Sequence, residues 1–266
     1  MTRVLVTGAS RGIGRALVRE LSGRGMEVIA SARRVADLAD LPAAGRLALD
    51  VTSTESVAAA VGMANPVDVL VNNAAVSVAA TVEDTPTGVA LQMFDTNVLG
   101  PLRLIKALLP GMRERGGGLV VNVSSVAGKA AFPMNGLHAA SKHALEALSE
   151  ALSVEVSPFG IRVLVLQLGS VATDMYESQP RYVSPPYAEM DRTQQAGFAA
   201  HQSRRATPEQ VAATIADAIE APASPLRVPV GQDAAWMLAE RARLDDTAWS
   251  ARVREMFGPP PASHEH

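Results

Sequence analysis

Short apolar runs alternate with stretches in which apolar residues recur every three or four positions, and this alternation sets the expected order of elements. Arg3-Val4-Leu5-Val6-Thr7 is an apolar run that ends in a glycine loop, which reads as a buried strand. Ile13, Leu17 and Leu21 follow at helical spacing, and Gly23 and Gly25 close that helix. Further strands are expected at 28–30, at 47–49 just before Asp50, and at 67–71, 119–123, 161–166 and 226–230. Pro86 to Arg115 predicts a long, mostly helical stretch closed by Gly116-Gly117-Gly118. From His138 to Val156, Leu145, Leu148, Leu152 and Val156 keep helical spacing until Pro158-Phe159-Gly160 stops them. A helix begins near Pro208 with Thr207 as its cap and Glu209 and Gln210 in its first turn, and 233–257 predicts a C-terminal helix. Between Ser170 and Arg205 regularity is lost: the stretch carries Pro180, Pro185, Pro186 and all three tyrosines, Tyr176, Tyr182 and Tyr187.

Strands that alternate with helices imply a parallel sheet covered on both faces, an α/β architecture. With 266 residues the chain fits one such domain, expected over 1–257, with a substrate lid at about 170–206 and a polar, proline-rich tail at 258–266 expected to be disordered. A long insertion after a strand's C-terminal end lies where open α/β sheets bind ligands. The net charge of −3 argues against nucleic acid or an anionic membrane surface as partner. Without cysteines, disulfides and thiolate chemistry are excluded. No clustered His/Asp/Glu spacing suggests a metal site. No apolar stretch approaches the ~20 residues of a membrane span, and a strand pattern from residue 3 leaves no room for a signal peptide, so the expectation is a cytoplasmic protein.

Gly8, Gly12 and Gly14 form a G-x-x-x-G-x-G pattern between a strand and a helix. Such glycines allow a tight turn and a close approach of backbone to phosphate, and the helix N-terminus favours the phosphate's charge. An acid at the end of the second strand would hold a ribose 2′-hydroxyl. Here the sequence is Ser31-Ala32-Arg33-Arg34, and arginines, with Arg11 in the glycine loop, suit a 2′-phosphate. Further on come Asn72-Asn73-Ala74-Ala75, Asn97, Ser125 and His138-Ala139-Ala140-Ser141-Lys142, with Ser125 13 positions before His138.

Over roughly residues 2–230 this set resembles the short-chain dehydrogenase/reductase family, whose motifs are the glycine loop, Asn-Asn-Ala-Gly, and a Ser with Tyr-x-x-x-Lys. The resemblance implies a Rossmann-type doubly wound sheet, NADP(H) as cofactor, and interconversion of a carbonyl and an alcohol by hydride transfer. It also implies that Gly8, Ser10, Arg11, Gly12, Ile13, Gly14, Arg33, Arg34, Asp50, Val51, Asn73, Ala74, Lys142, Val171 and Thr173 contact the cofactor. Read alone, Asp50 is a strand-end cap. Ser125, His138, Lys142 and Asn97 then form the reaction centre: Ser125 binds the substrate oxygen, Lys142 holds the nicotinamide ribose, and Asn97 holds a relay water. A homodimer or homotetramer, built on the helices at 86–115 and 138–157, is likewise implied.

Two departures from the family pattern stand out. His138 replaces the tyrosine that gives the proton, and Leu168 replaces a proline, which restores backbone freedom to the loop after the sixth strand. A cationic lysine and an oxidised nicotinamide nearby would disfavour imidazolium, and the ring is shorter than a phenol. Three readings follow: His138 or a water serves as acid in an NADP(H)-dependent oxidoreductase; the fold runs a non-redox isomerisation, elimination or cyclisation; or the chain is a catalytically impaired cofactor-binding protein or active-site variant. Met175, Val183, Met190 and Phe198, mixed with Arg181, Arg192, Arg204 and Arg205, point to a medium-sized, partly lipophilic substrate. His201 reads as a solvated loop residue.

Overall fold

The computed structural model describes residues 1–200 and 205–257. Strand β1 (Arg3–Val6) leads through the glycine loop into helix α1 (Gly12–Gly23), followed by β2 (Glu27–Ala32), β3 (Gly45–Ala48), α2 (Thr54–Ala64) and β4 (Val69–Asn72). After a short strand β5 (Ala79–Ala80) come α3 (Thr87–Phe94), α4 (Gly100–Glu114), β6 (Gly118–Ser125), α5 (Gly136–Val156) and β7 (Ile161–Leu168). The remainder is α6 (Met175–Ser178), β8 (Arg181–Tyr182), α7 (Ala188–Ala200), α8 (Pro208–Glu220), β9 (Arg227–Val230), α9 (Gln232–Arg243) and α10 (Asp246–Phe257).

Seven strands form one parallel sheet in the order β3-β2-β1-β4-β6-β7-β9. The order reverses between β1 and β4, so the C-terminal ends of these two strands flank the crevice of a Rossmann-type doubly wound fold. The central strands are apolar on both faces because both are covered. Val4, Val6, Val71, Val121 and Leu166 pack toward α1 and α8, while Leu5, Leu70, Val120 and Val163 pack toward α2 and α4. This double burial explains why the strands read as continuous apolar runs.

Four elements depart from the pattern-based expectation. Helix α2 was not expected, because its apolar face is built mostly from alanine and valine; Ser53 caps it by accepting from the Ser56 amide at 3.1 Å. The 86–115 helix is interrupted by a π-helical turn over Asp95–Leu99. The 170–205 stretch, expected to be irregular, contains the 13-residue helix α7, and its β8 pairs with β5 in a second, two-stranded parallel sheet. The single expected C-terminal helix is two, parted at Leu244, whose extended backbone ends α9. The Thr207 cap is present as a full capping box with Gln210. His201, Arg204, the Phe198 side chain and the 258–266 tail lie outside the described residues.

Leu168 also behaves differently from the expectation of a loosened loop. It continues β7, pairs with Ser125 on one side and Val230 on the other, and is buried. The next two residues are tied down as well: the Gly169 amide donates to Val230 O at 3.0 Å and the Ser170 amide to Asp233 Oδ2 at 2.6 Å. The backbone N–H that a proline would lack is here part of an unbroken strand.

The glycine loop is the tightest point of the crevice. Gly8 has φ +66°, and a Cβ there would lie 2.8 Å from Ala74 Cα; a Cβ on Gly14 would lie 2.5 Å from Asn73 Nδ2 and would also strike Gly8 O. Gly14→Ala is therefore expected to lower the melting temperature by several degrees and to abolish detectable dinucleotide binding. Thermal unfolding and fluorescence titration check this; an unchanged melting curve would contradict the packing.

Candidate active site

The glycine loop is braced from the neighbouring strand. Thr7 Oγ1 donates to Val71 O at 3.2 Å and accepts from the Asn73 and Ala74 amides at 3.0 Å each. Asn73 Nδ2 donates to Thr7 O at 2.8 Å and to Gly8 O at 3.2 Å. Asn72 turns the other way and donates to Asn122 Oδ1 at 2.8 Å across the sheet. The four residues Asn72 to Ala75 thus serve two jobs, locking the loop and pairing the central strands.

The start of α1 suits an anionic group. Arg11 at its N-cap makes no side-chain cap, the first turn carries no acid, and Gly12 sits at φ +54°. The amides of Gly12, Ile13 and Gly14 open this helix beside Ser10, with no capping side chain in the way. Thr173 closes over them, its Cγ2 lying 3.4 Å from where a Gly12 Cβ would be. Val171 is fixed by a bridge to Ala206. A dinucleotide's diphosphate fits this donor set.

At the other end of the crevice, Ser31 is buried with its hydroxyl on Val6 O, and Arg33 is exposed where β2 ends. Arg34 is already engaged, making a two-toothed pair with Asp37 at 2.8 and 3.1 Å, so Arg33 is the freer of the two. Asp50 accepts from the Thr52 hydroxyl and amide at 2.7 and 2.9 Å, and these bonds hold its carboxyl below the ordinary range. The strand-end cap reading of Asp50 is thus present in the structure. Val51 is buried against Gly100, and its carbonyl accepts from Arg103 at 3.2 Å.

Lys142 is buried and its ammonium donates to Val123 O at 2.8 Å. Burial pushes its pKa down to about 8, opposed by the Glu146 carboxylate one turn along the helix. Two positions after Val123, Ser125 ends β6; its Oγ accepts from the Ala127 amide at 3.1 Å. Asn97 lies in the π-helical turn and its side chain is fully used. Oδ1 accepts from the Val76 amide and Nδ2 donates to Val76 O, each at 2.9 Å, and Nδ2 also donates to Ser141 Oγ at 3.1 Å. The side chain is thus a brace between the loop after β4 and the start of α5.

His138 is half-buried, but its Nδ1 is enclosed and makes no hydrogen bond among the described residues. Its pKa is pushed down to about 3, by burial first and by the Lys142 ammonium second, with a Val76 backbone contact pulling weakly upward. The imidazole is neutral at pH 7 and is no cationic acid. A cavity of about 230 Å³ is walled by Val76, Val78, Met93, Met175 and Tyr182, with Arg11 at one side; His138, Ser125 and Lys142 do not line it, and Val76, whose backbone faces His138, is the link between the two. A larger groove of about 570 Å³ lies at the opposite end of the sheet. That groove holds none of these residues, and its Arg24 is already paired with Glu20, Asp217 and Glu220.

One functional-looking group was missed in the sequence. Glu146 is buried and meets Ser124, Gln167, Arg227 and Lys129. The only signal was its place four residues beyond Lys142, in a helix rich in acids. Among the described residues no cluster of three or more metal-ligating side chains occurs, and no helix is long and apolar enough to cross a membrane.

Comparison with known proteins agrees with this geometry. Residues 2–182 match the family model described as short chain dehydrogenase. Human 17-beta-hydroxysteroid dehydrogenase type 1 is 34% identical over 99% of this chain and 88% of its own. The uncharacterized oxidoreductase YusZ of Bacillus subtilis is 38% identical over 68% of this chain and 70% of its own. Among solved structures, a short-chain dehydrogenase from Streptomyces avermitilis superposes with a TM-score of 0.83 at 37% identity, covering 96% of this chain and 98% of the other. A short chain dehydrogenase from Burkholderia cenocepacia in complex with NADP gives 0.79 at 26% identity, covering 95% and 97%.

Because His138 is neutral when folded and has an ordinary pKa near 6.5 when unfolded, the unfolded chain binds the extra proton between these values. The contribution is full above pH 6.5 and is lost as the pH falls toward 3. Between pH 7 and 5 the protein should lose about 2 kcal/mol more stability than His138→Gln. Urea unfolding at both pH values checks this; parallel losses would contradict it.

Proposed function

The chain belongs to the short-chain dehydrogenase family, and from that premise we propose that it is an NADP(H)-dependent carbonyl reductase in which proton delivery is the weak step. When bound, the nicotinamide dinucleotide supplies or accepts the hydride. The open N-terminus of α1 with Ser10 to Gly14 would hold its diphosphate, Arg33 with Arg11 the 2′-phosphate, and Lys142 the nicotinamide ribose. The NADP-bound Burkholderia neighbour supports the choice of NADP(H) over NAD(H).

Ser125 presents a hydroxyl whose oxygen accepts from Ala127, which leaves its own proton for a substrate oxygen. His138, where the family has tyrosine, gives at most a neutral N–H. A neutral imidazole is a poor acid, so a water beside it or Lys142 must complete the transfer, at a cost in rate of ~10²–10⁴ against a fitted acid. The single observation that carries this reading is the enclosed, neutral imidazole of His138, one turn of α5 from Lys142. It also favours a second reading, a cofactor-binding protein with little turnover.

The apolar walls of the cavity, Val76, Val78, Met93, Met175 and Tyr182, support a medium-sized, partly lipophilic ketone or alcohol as substrate. One relative is named for a hydroxysteroid, which agrees with that class. Leu148 and Val154 on α5 are exposed beside Ala147 and Ala151, which supports the expectation of self-association.

NADPH oxidation at 340 nm with a panel of ketones tests the proposal. The unmodified chain should turn over slowly, and His138→Tyr should gain ~10²–10⁴ in kcat; a loss in the tyrosine variant would show a histidine fitted to its own chemistry. Arg33→Asp should weaken NADPH binding by at least about tenfold while sparing NADH. Equal losses for both cofactors would remove the arginine from 2′-phosphate recognition.

A further inference from the structure

Glu146 is among the most buried charged side chains of the chain, with 1% of its surface exposed. Its Oε1 accepts from Gln167 Nε2 on β7 at 2.8 Å and from Ser124 Oγ on β6 at 3.1 Å. Its Oε2 accepts from Arg227 Nε on β9 at 2.8 Å and faces Lys129 Nζ at 3.6 Å, in the short loop after β6. Arg227 reaches on to Glu150 at 2.5 Å at the surface. The space is shaped around the carboxylate: a Cβ on Gly128 would lie 2.6 Å from Glu146 Oε1 and 2.7 Å from Ser124 Oγ. A buried charge is retained at this expense of desolvation only when its partners are complete, and here both oxygens are saturated.

The same helix face carries the reaction centre. His138, Lys142 and Glu146 are spaced by four, one above the other on α5. Lys142 grips Val123 O and Glu146 grips Ser124 Oγ, so two successive turns of α5 hold two successive residues of β6 immediately before Ser125. No direct ion pair joins Lys142 to Glu146; the carboxylate acts on the ammonium through space in a dry interior.

We propose that Glu146 is a positioning residue of this active site, which supports the Lys142 ammonium from one turn along α5 and fixes the end of β6 that presents Ser125. Its effect on turnover rests on the reductase reading above, but its effect on Lys142 does not. The groups that bear on this charge are His138, Glu146 and Glu150 on α5, Lys129 after β6 and Arg227 on β9. The first, neutral at pH 7, adds no opposing charge there.

The chain has three lysines, Lys106, Lys129 and Lys142, so their side-chain 13Cε signals can be followed separately by NMR in the whole protein. In the unmodified protein Lys142 should titrate well below the ordinary lysine range. Glu146→Gln keeps the shape and an acceptor oxygen but removes the charge, and should lower the Lys142 midpoint by about one unit or more. Arg227→Gln removes the cation that competes for Glu146 and should move the midpoint upward. Shifts in opposite directions are the expected result, since a merely structural role would disturb both variants alike. A Lys142 midpoint unmoved in both, or moved the same way in both, overturns the proposal. If Glu146→Gln does not fold, the Arg227→Gln direction decides alone. With NADPH and a ketone, the basic limb of the rate profile should follow the NMR midpoint in each variant. Absent turnover beside the expected NMR shifts would refute the reductase reading and leave the role of Glu146 standing.

Discussion

A dry face on one helix governs this site. α5 lays Lys142 and Glu146, both buried, and His138, half-buried, against the sheet, and the balance of desolvation and mutual charge sets what each can do. Burial strips the imidazole of its proton. It lowers the lysine pKa as well, against the opposing pull of the Glu146 carboxylate. The helix can carry such a face because Ser141, Leu145 and Ser149 fill the positions between and their hydroxyls are satisfied internally: Ser141 by His138 O and Asn97, Ser149 by Leu145 O and Asn122.

The sheet order does the rest of the positioning. The β1–β4 crossover opens the crevice above α1, and the Thr7–Asn73 bonds hold it at a fixed width. The β6–β7 ladder runs through Ser125 and Leu168, so the reaction centre and the loop that closes over the glycines share one rigid base. The segment after β7 is fastened by the β5–β8 pairing and by the Ser184 amide on Asp84 at 2.9 Å. Gln194 Nε2 then docks α7 on Pro133 O at 3.0 Å.

Much of this was legible in the chain. Apolar strands buried on both faces announce themselves by continuous runs, and the glycine loop, the asparagines and the Ser-to-Lys spacing are local signals. What escaped was whatever depends on distant partners. α2 hides because alanine and valine give a helix face with little contrast. α7 hides because its middle, Asp191 to Gln195, is wholly polar and three prolines precede it. The break at Leu244 has no glycine or proline to mark it. The bracing bonds of Asn97 escaped because only the fold brings Val76 and Ser141 to its side chain. Glu146 carried no signal of its own, since its partners lie on β6, β7 and β9, far away in sequence. Leu168 looked like a loosened loop because its two neighbouring strands cannot be seen locally.

Isotope effects on turnover separate hydride delivery from proton delivery most directly. With the hydride step intact and the proton step impaired, as the proposal has it, D2O slows ketone reduction markedly while NADPH deuterated at the transferred position changes the rate little. A rate set by the deuterated cofactor and indifferent to D2O would contradict it, and would mean that the neutral histidine site delivers its proton without difficulty.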